Sequence, residues 1–320
     1  MDRIDHADSK SVQPGETPGL PASYLSLMRQ SVRLKIYYRG KGKMEIYWTT
    51  AQKQRLIELN ADPGDLERAF ETHRERDRLF QELETGLVES SRVKLEAFRV
   101  QKKRPSLCLL ENELAEALTG DGFVQVTTPI ILAKGLLAKM SIGEDHPLFK
   151  KIFWLDSGKC LRPMLAPNLY FILKDLLRLW PSPVRIFEIG SCFRKESEGA
   201  HHLNEFTMLN LVEMGLPAED CLPRLGELAE LVLSRAGIED YTTEISQSDV
   251  YGSTVDYLAG FELGSGATGP HPLDKAWDID EAWAGIGFGL ERLIMAREKS
   301  SNIKREGKSL TYLDGIRLNL

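Results

Sequence analysis

From Gly122 onward, short strand-like runs (FVQVTTP, KIFWL, VRIFEIGSCF, EFTMLNLVEM, YTTEI and AGIGFG) follow one another so closely that most leave no room for a helical crossover. Parallel neighbours need a crossover of about a dozen residues or more, whereas antiparallel neighbours need only a loop. The spacing therefore predicts an α+β domain, a mostly antiparallel sheet flanked by helices, and not a doubly wound one. Two helices interrupt the runs. One follows Pro167 through Trp180; the other spans Ala218 to Ala236, with Leu222, Leu225, Leu228 and Leu231 on one face and Gly237 as its stop.

Upstream the texture differs. Residues 1 to about 22 carry Pro, Gly, Ser and charge without periodicity and read as a mobile tail. Val32, Leu34, Ile36 and Tyr38 then alternate with polar residues, and a GKGK turn leads to Met44–Trp48, which reads as either a small hairpin or a loosely attached segment. Thr49 or Thr50 offers an N-cap to a helix over AQKQRLIELN, closed by Asn60 and Pro63. Asp65 to Lys103 is charged and helix-favouring with Gly86 as an internal breaker, which predicts two helices. After Pro105 a further helix runs to Gly120, with Leu107, Leu110, Leu114 and Leu118 on one stripe. The expected organisation is a tail and small hairpin over 1–47, a helical segment over 48–104 and a catalytic domain over 105–320.

Composition narrows the function classes. The 320 residues hold 41 Lys and Arg against 47 Asp and Glu, a net of −6, which excludes a generic basic coat for nucleic acid. Contact with nucleic acid then needs a local patch, and Arg92, Lys94, Arg99, Lys102, Lys103 and Arg104 supply one. A solvated helix face is the usual reading of such a charge run. A phosphate-backbone contact is a fair competitor here, because the patch is basic while the chain is acidic overall. No apolar run approaches the ~20 residues of a membrane span, and the polar start is no secretory signal, so a cytoplasmic protein is expected. The four cysteines form no Cys-x-x-Cys pair and read as reduced thiols.

Three constellations carry chemistry. The strands Val184–Arg194 and Glu205–Met214 are joined by about ten residues, too many for a tight turn. Period-two alternation puts Phe206, Met208, Asn210 and Val212 on one face: a flat ring, an amide and two apolar groups. Arg194 ends the first strand with Glu196 two residues on. An arginine at a sheet rim, a stacking ring and a basic loop suit a nucleoside triphosphate; alone, an exposed hairpin with a surface ion pair is the simpler reading. Next, Gly285, Gly287 and Gly289 alternate on a strand, clearing one face for close backbone approach, and Arg292 falls in the first turn of the helix that follows. The glycine spacing is neither a dinucleotide fingerprint nor a P-loop. Close strand packing explains the glycines but not the arginine. Finally, in GFELGSGATGP, Glu262 and Ser265 offer oxygens to Mg²⁺, although most such pairs in strands are structural. His201 and His202 diverge as neighbours and lack a metal-binding spacing.

These residues carry a resemblance. GFVQVTTP, the Phe193–Glu196 run with its long loop, and GFGLER are similar in order and spacing to motifs 1, 2 and 3 of class II aminoacyl-tRNA synthetases. More closely, LRPMLAPNLY, IGEDHPLF, RIFEIG, HLNEFTMLN, GFGLERL and YLDGIRLNL resemble the catalytic domain of the pyrrolysyl-tRNA synthetase family, from about Trp48 to Leu320. The resemblance implies the class II catalytic fold with an N-terminal helical segment. It implies ATP and Mg²⁺ as cofactors, and a ligase that activates pyrrolysine, or Nε-acylated lysine analogues, and passes it to the 3′ end of a cognate tRNA.

By the same resemblance Arg194, Glu196 and Arg292 are catalytic and hold ATP together with Phe206, Glu262 and Ser265. Glu262 and Ser265 help bind the metal. Ala166, Leu169, Tyr170, Leu173, Val212 and Trp283 wall the amino-acid pocket, Asn210 hydrogen-bonds the side-chain amide of the substrate, and Tyr251 closes over it. Pro129 marks a homodimer interface. The basic N-terminal tRNA-binding domain of fused relatives has no counterpart in these residues, which leaves two expectations open: a separate protein of that type as a further partner, or an enzyme that manages without it. Two other classes stay open: a noncatalytic synthetase paralogue that binds RNA, and an ATP-dependent ligase with a non-tRNA acceptor.

Overall fold

The computed structural model describes residues 45–196, 202–300 and 302–320. The expected tail and the strand Val32–Tyr38 with its turn lie outside the described residues. Within them, Ile46 makes an antiparallel bridge with Phe70. Helix α1 (Thr50–Glu58) starts on a capping box in which Gln52 N–H donates to Thr49 Oγ1 and Thr49 N–H to Gln52 Oε1.

The span expected to hold two helices holds a single turn, Pro63–Leu66, and then one helix of 28 residues, α2 (His73–Val100). Gly86 does not break it. A lone glycine costs a helix only about 1 kcal/mol relative to alanine, and a long ladder absorbs that. Helix α3 (Ser106–Gly120) buries Leu107, Leu110, Leu114 and Leu118, the stripe read from the sequence. Each such leucine contributes roughly 1.5–3 kcal/mol of burial.

The expected strand over FVQVTTP shrinks to β1 (Val124–Gln125). A small sheet pairs β2 (Ile131–Ala133) with β3 (Lys159–Leu161). KIFWL is not a strand: the helical turn Pro147–Lys150 runs into it, and only Trp154 bridges, to Cys160. Helix α4 (Ala166–Leu179) leads to the two long strands, β4 (Val184–Phe193) and β5 (Glu205–Met214), paired antiparallel over their whole length.

Helix α5 (Cys221–Arg235) buries Cys221, Leu225, Leu228, Ala229, Val232 and Leu233. Leu222 is exposed instead of facing the core. The reason is geometric, because uniform i, i+3 spacing drifts by about 60° per step and cannot stay on one face for three steps. Strands β6 (Thr242–Ser248), β7 (Gly252–Leu258), β8 (Glu262–Gly269) and β9 (Trp283–Gly289) follow, then helix α6 (Leu290–Arg297) and a terminal pair, β10 (Tyr312–Leu313) with β11 (Ile316–Arg317).

The main sheet runs β1-β4-β5-β9-β8-β7-β6. Only β1 with β4 is parallel; every other pairing is antiparallel. The fold is α+β, as the strand spacing predicts. Odd positions of β5 (Leu209, Leu211) join Ile286 and Phe288 in a core covered by α3, α5 and α6. The opposite face stays partly open. Its far end packs on α4 through Ile186, Val212, Met214 and Trp283.

Candidate active site

Register aligns the open face. Asn210 on β5 lies opposite Gly287 on β9, and Gly287 lies opposite Ser265 on β8. One step along, Val212, Gly285 and Ala267 form the next row. The glycines clear a shallow floor between side-chain-bearing strands. A Cβ at Gly287 would come within 3.1 Å of Asn210 Nδ2 and 3.3 Å of Met208 Cε, so that space is used by neighbours reaching across it.

Over this floor lies a cavity of about 470 Å³. The residues singled out from the sequence all line it: Arg194, Glu196, Phe206, Glu262, Ser265 and Arg292 toward one end, and Ala166, Leu169, Tyr170, Leu173, Asn210, Val212, Tyr251 and Trp283 toward the other. Helix α4 contributes four of them because Ala166, Leu169, Tyr170 and Leu173 fall on one helical stripe.

The polar end is built from distant segments of the chain that meet over the open face. Arg194, just beyond β4, donates Nε to the Pro163 carbonyl at 2.8 Å and lies over the Phe206 ring, 5.3 Å from its centroid. Burial pushes its guanidinium below the ordinary arginine range. Glu196 and Glu262 oppose that shift, while the like charge of Arg292 adds to it. Arg292, in the first turn of α6, donates to the Glu262 carbonyl at 3.0 Å and to its carboxylate at 3.3 Å. Glu196 accepts from Lys151 Nζ at 2.9 Å. Ser265 donates to Asp256 at 2.6 Å. The donors near Glu262 are hard oxygens, and among the described residues no cluster of three His, Cys, Asp or Glu forms a metal cage. That set fits a cation held mainly by phosphate oxygens, the habit of Mg²⁺.

Beneath Arg292, Glu291 is 1% exposed and accepts the Thr207 N–H with both carboxylate oxygens, at 2.8 and 2.9 Å. Burial raises its pKa to about 7. Beside Arg194, Arg162 and Glu188 form a buried ion pair at 2.7 Å; Thr128 donates to both Glu188 oxygens, and Arg162 Nε donates to the Ser191 carbonyl. Phe193 N–H donates to the Arg162 carbonyl, so this pair fixes the stem on which Arg194 stands.

The apolar end is walled by rings. Tyr170 meets Trp283 edge-on at 6.2 Å, and Tyr251 meets it at 5.9 Å. Tyr170 donates to Asp274 Oδ1 at 2.9 Å and Trp283 Nε1 to Oδ2 at 2.8 Å. Burial first, then the neighbouring Tyr251 and the Asp274 charge, raises the Tyr170 hydroxyl. Sequence reasoning missed Arg162, Glu188, Asp274 and Glu291. Glu188 has a readable signal: in β4 it shares parity with Ile186, Val184 and Gly190, a charged residue among core-facing positions. Asp274 has none beyond its place three residues after His271, a cap position.

Comparison with known proteins bears on the family and the fold. Residues 80–309 match the class II core domain (F) of tRNA synthetases. The chain is similar to the crystal structure of pyrrolysyl-tRNA synthetase from Desulfitobacterium hafniense, at 55% identity over 86% of this chain and 99% of that one, with a TM-score of 0.82. A structure of Desulfitobacterium hafniense PylSc, a pyrrolysyl tRNA synthetase, gives 51% identity over 89% of this chain and 100% of that one, with a TM-score of 0.82. The O-phosphoserine--tRNA(Cys) ligase of Methanothrix thermoacetophila is 27% identical over 210 residues, covering 59% of this chain and 38% of that protein. This chain thus spans less than two fifths of the length of that curated relative.

Proposed function

This chain belongs to the class II tRNA synthetase core family, and within it to the pyrrolysyl-tRNA synthetases; from that premise we propose that it activates pyrrolysine, or a similar Nε-acylated lysine, with ATP and transfers it to the 3′ end of a cognate tRNA. The observation that carries the reading is the meeting of Arg194 and Arg292, from distant parts of the chain, over one glycine floor with an apolar compartment at its end.

In this reading the triphosphate lies over Gly287 and Gly289, its adenine against Phe206 and its phosphates between the two guanidiniums. The carboxylate of the amino acid attacks the α-phosphorus in line; the bond to the bridging oxygen breaks, leaving an aminoacyl-adenylate and pyrophosphate. Fixed cations aimed at the developing charge are what lowers this barrier, and no protein nucleophile is required. Mg²⁺, held by Glu262 and Ser265, would screen phosphate charge. Arg292 is tied to Glu262 here, so a phosphate competes with that carboxylate for the arginine. Transfer follows when a terminal ribose hydroxyl of the tRNA attacks the adenylate carbonyl and AMP leaves.

The compartment between α4, Val212, Tyr251 and Trp283 suits a long apolar side chain, and Asn210 offers it one amide contact. Apolar walls reject near isosteres weakly, so tolerance of several Nε-acyl groups is expected. A homodimer is supported by the exposed apolar residues Val124, Ile130 and Ile131 that flank the exposed Pro129 in the chain. Among the described residues no helix is long and apolar enough to cross a membrane. Pyrophosphate exchange with purified protein, ATP, Mg²⁺ and Nε-acylated lysine tests the reading. Exchange that depends on the lysine derivative supports it, and none with any acylated lysine contradicts it.

A further inference from the structure

We propose that Asp274 is a positioning residue that sets the shape of the amino-acid compartment by holding three of its aromatic walls, Tyr170, Tyr251 and Trp283. The inference deepens the reading of this cavity as an amino-acid site and rests on it. Asp274 lies outside the main sheet, in the helical turn Pro272–Trp277, and is 1% exposed. Its Oδ1 accepts the Tyr170 hydroxyl at 2.9 Å. Its Oδ2 accepts Trp283 Nε1 at 2.8 Å and the His271 N–H at 2.6 Å. The Tyr251 ring rests edge-on against Trp283 at 5.9 Å, so a third ring depends on the same carboxylate at one remove.

Among the described residues no ion pair reaches Asp274. A buried carboxylate met only by neutral donors is a costly way to fill space, and an apolar side chain would pack there at less cost. What the carboxylate supplies is two acceptor oxygens at fixed angles, one for each ring. Without them the rings keep their contacts but lose their orientation. Tyr170 stays stacked on Trp277 behind it, at 5.4 Å and 22° between planes. Trp283 stays wedged against Gly269, where even a Cβ would lie 1.9 Å from its Nε1. Because the walls are apolar, discrimination among substrates depends on where these ring faces stand, and that is the property Asp274 controls.

The test is Asp274→Asn, which keeps the shape but sets an amide N–H₂ against the Trp283 or His271 donor. The expected result is a rise of about tenfold in KM for Nε-benzoyl-lysine, in line with one buried donor left unpaired. KM for ATP should stay within about twofold, and preference for Nε-benzoyl-lysine over Nε-acetyl-lysine should fall. A parallel rise in both KM values, or no change in either, overturns the proposal. A second readout is hydrogen exchange at the Trp283 indole N–H, its signal assigned with Trp283→Phe. Exchange in Asp274→Asn should quicken by about tenfold or more with the other four indoles unchanged; unaltered exchange overturns the proposal. If the wild type binds neither lysine derivative, it is the functional reading that fails, and indole exchange still decides the role of Asp274.

Discussion

A guanidinium that gives its Nε to a backbone carbonyl, as Arg194 does to Pro163, is aimed by that bond and keeps its outer nitrogens for a ligand. Arg194→Ala should therefore lower pyrophosphate exchange by about 10²–10³-fold, the usual cost of one preorganised donor, with little change in unfolding. Arg194→Lys restores charge but not the planar fork and should recover only part of the loss. Glu291 acts differently. Its folded pKa, about 7, lies above the ordinary carboxylate value, so the folded state binds a proton that the unfolded state has released. Stability must then fall as pH rises from the ordinary carboxylate range toward about 7. Relative to Glu291→Gln, the wild type should lose on the order of 2–3 kcal/mol between about pH 4.5 and about pH 8 in denaturant titrations. Equal slopes for the two proteins would contradict the assignment.

Glycines show how the same residue type serves different elements. At Gly264 in β8, a Cβ would meet Phe288 Cδ1 at 2.4 Å and the Gly287 carbonyl at 2.6 Å, so backbone itself must move. Gly264→Ala should destabilise by roughly 1–3 kcal/mol. Gly86, exposed on α2, has nothing within 4 Å of its Cβ position, and Gly86→Ala should stabilise by up to about 1 kcal/mol in the same titration. The contrast also explains what the sequence makes legible. Strand parity in β5 marks Phe206, Met208, Asn210 and Val212 as one face, and all four line the cavity, because period two is a local rule. Whether Gly86 ends a helix is not local, since it depends on how much of α2 packs elsewhere. The same holds for KIFWL, where Ile152 and Trp154 join a cluster and only the Trp154 bridge to Cys160 forms, so the run never extends into a strand. Asp274 is illegible for a third reason: the two rings it holds, Tyr170 and Trp283, lie 104 and 9 residues away, and its one local bond, from the His271 N–H, reads as an ordinary cap.

Across the whole molecule, distant segments are tied by polar contacts. Arg317 pairs with Glu58, Arg55 donates to the Asn319 carbonyl, and Ser106 N–H donates to Asp314, so the C-terminal residues strap the helical segment to the sheet domain. The basic stretch Arg92–Arg104 sits on that segment. Arg92 and Arg99 each pair with a glutamate three residues back, while Lys102, Lys103 and Arg104 are exposed at the end of α2. Reversing these three to Glu should weaken aminoacylation of tRNA and leave pyrophosphate exchange intact; unchanged tRNA binding would rule out this surface. The account as a whole depends on two arginines sharing one polyphosphate, and a crystal structure with a nonhydrolysable ATP analogue and an Nε-acylated lysine tests that most directly. It should have Arg194 and Arg292 both within ~3 Å of phosphate oxygens above Gly287 and Gly289, with the lysine derivative between α4 and Trp283. Phosphates bound elsewhere, or touching neither guanidinium, would contradict it.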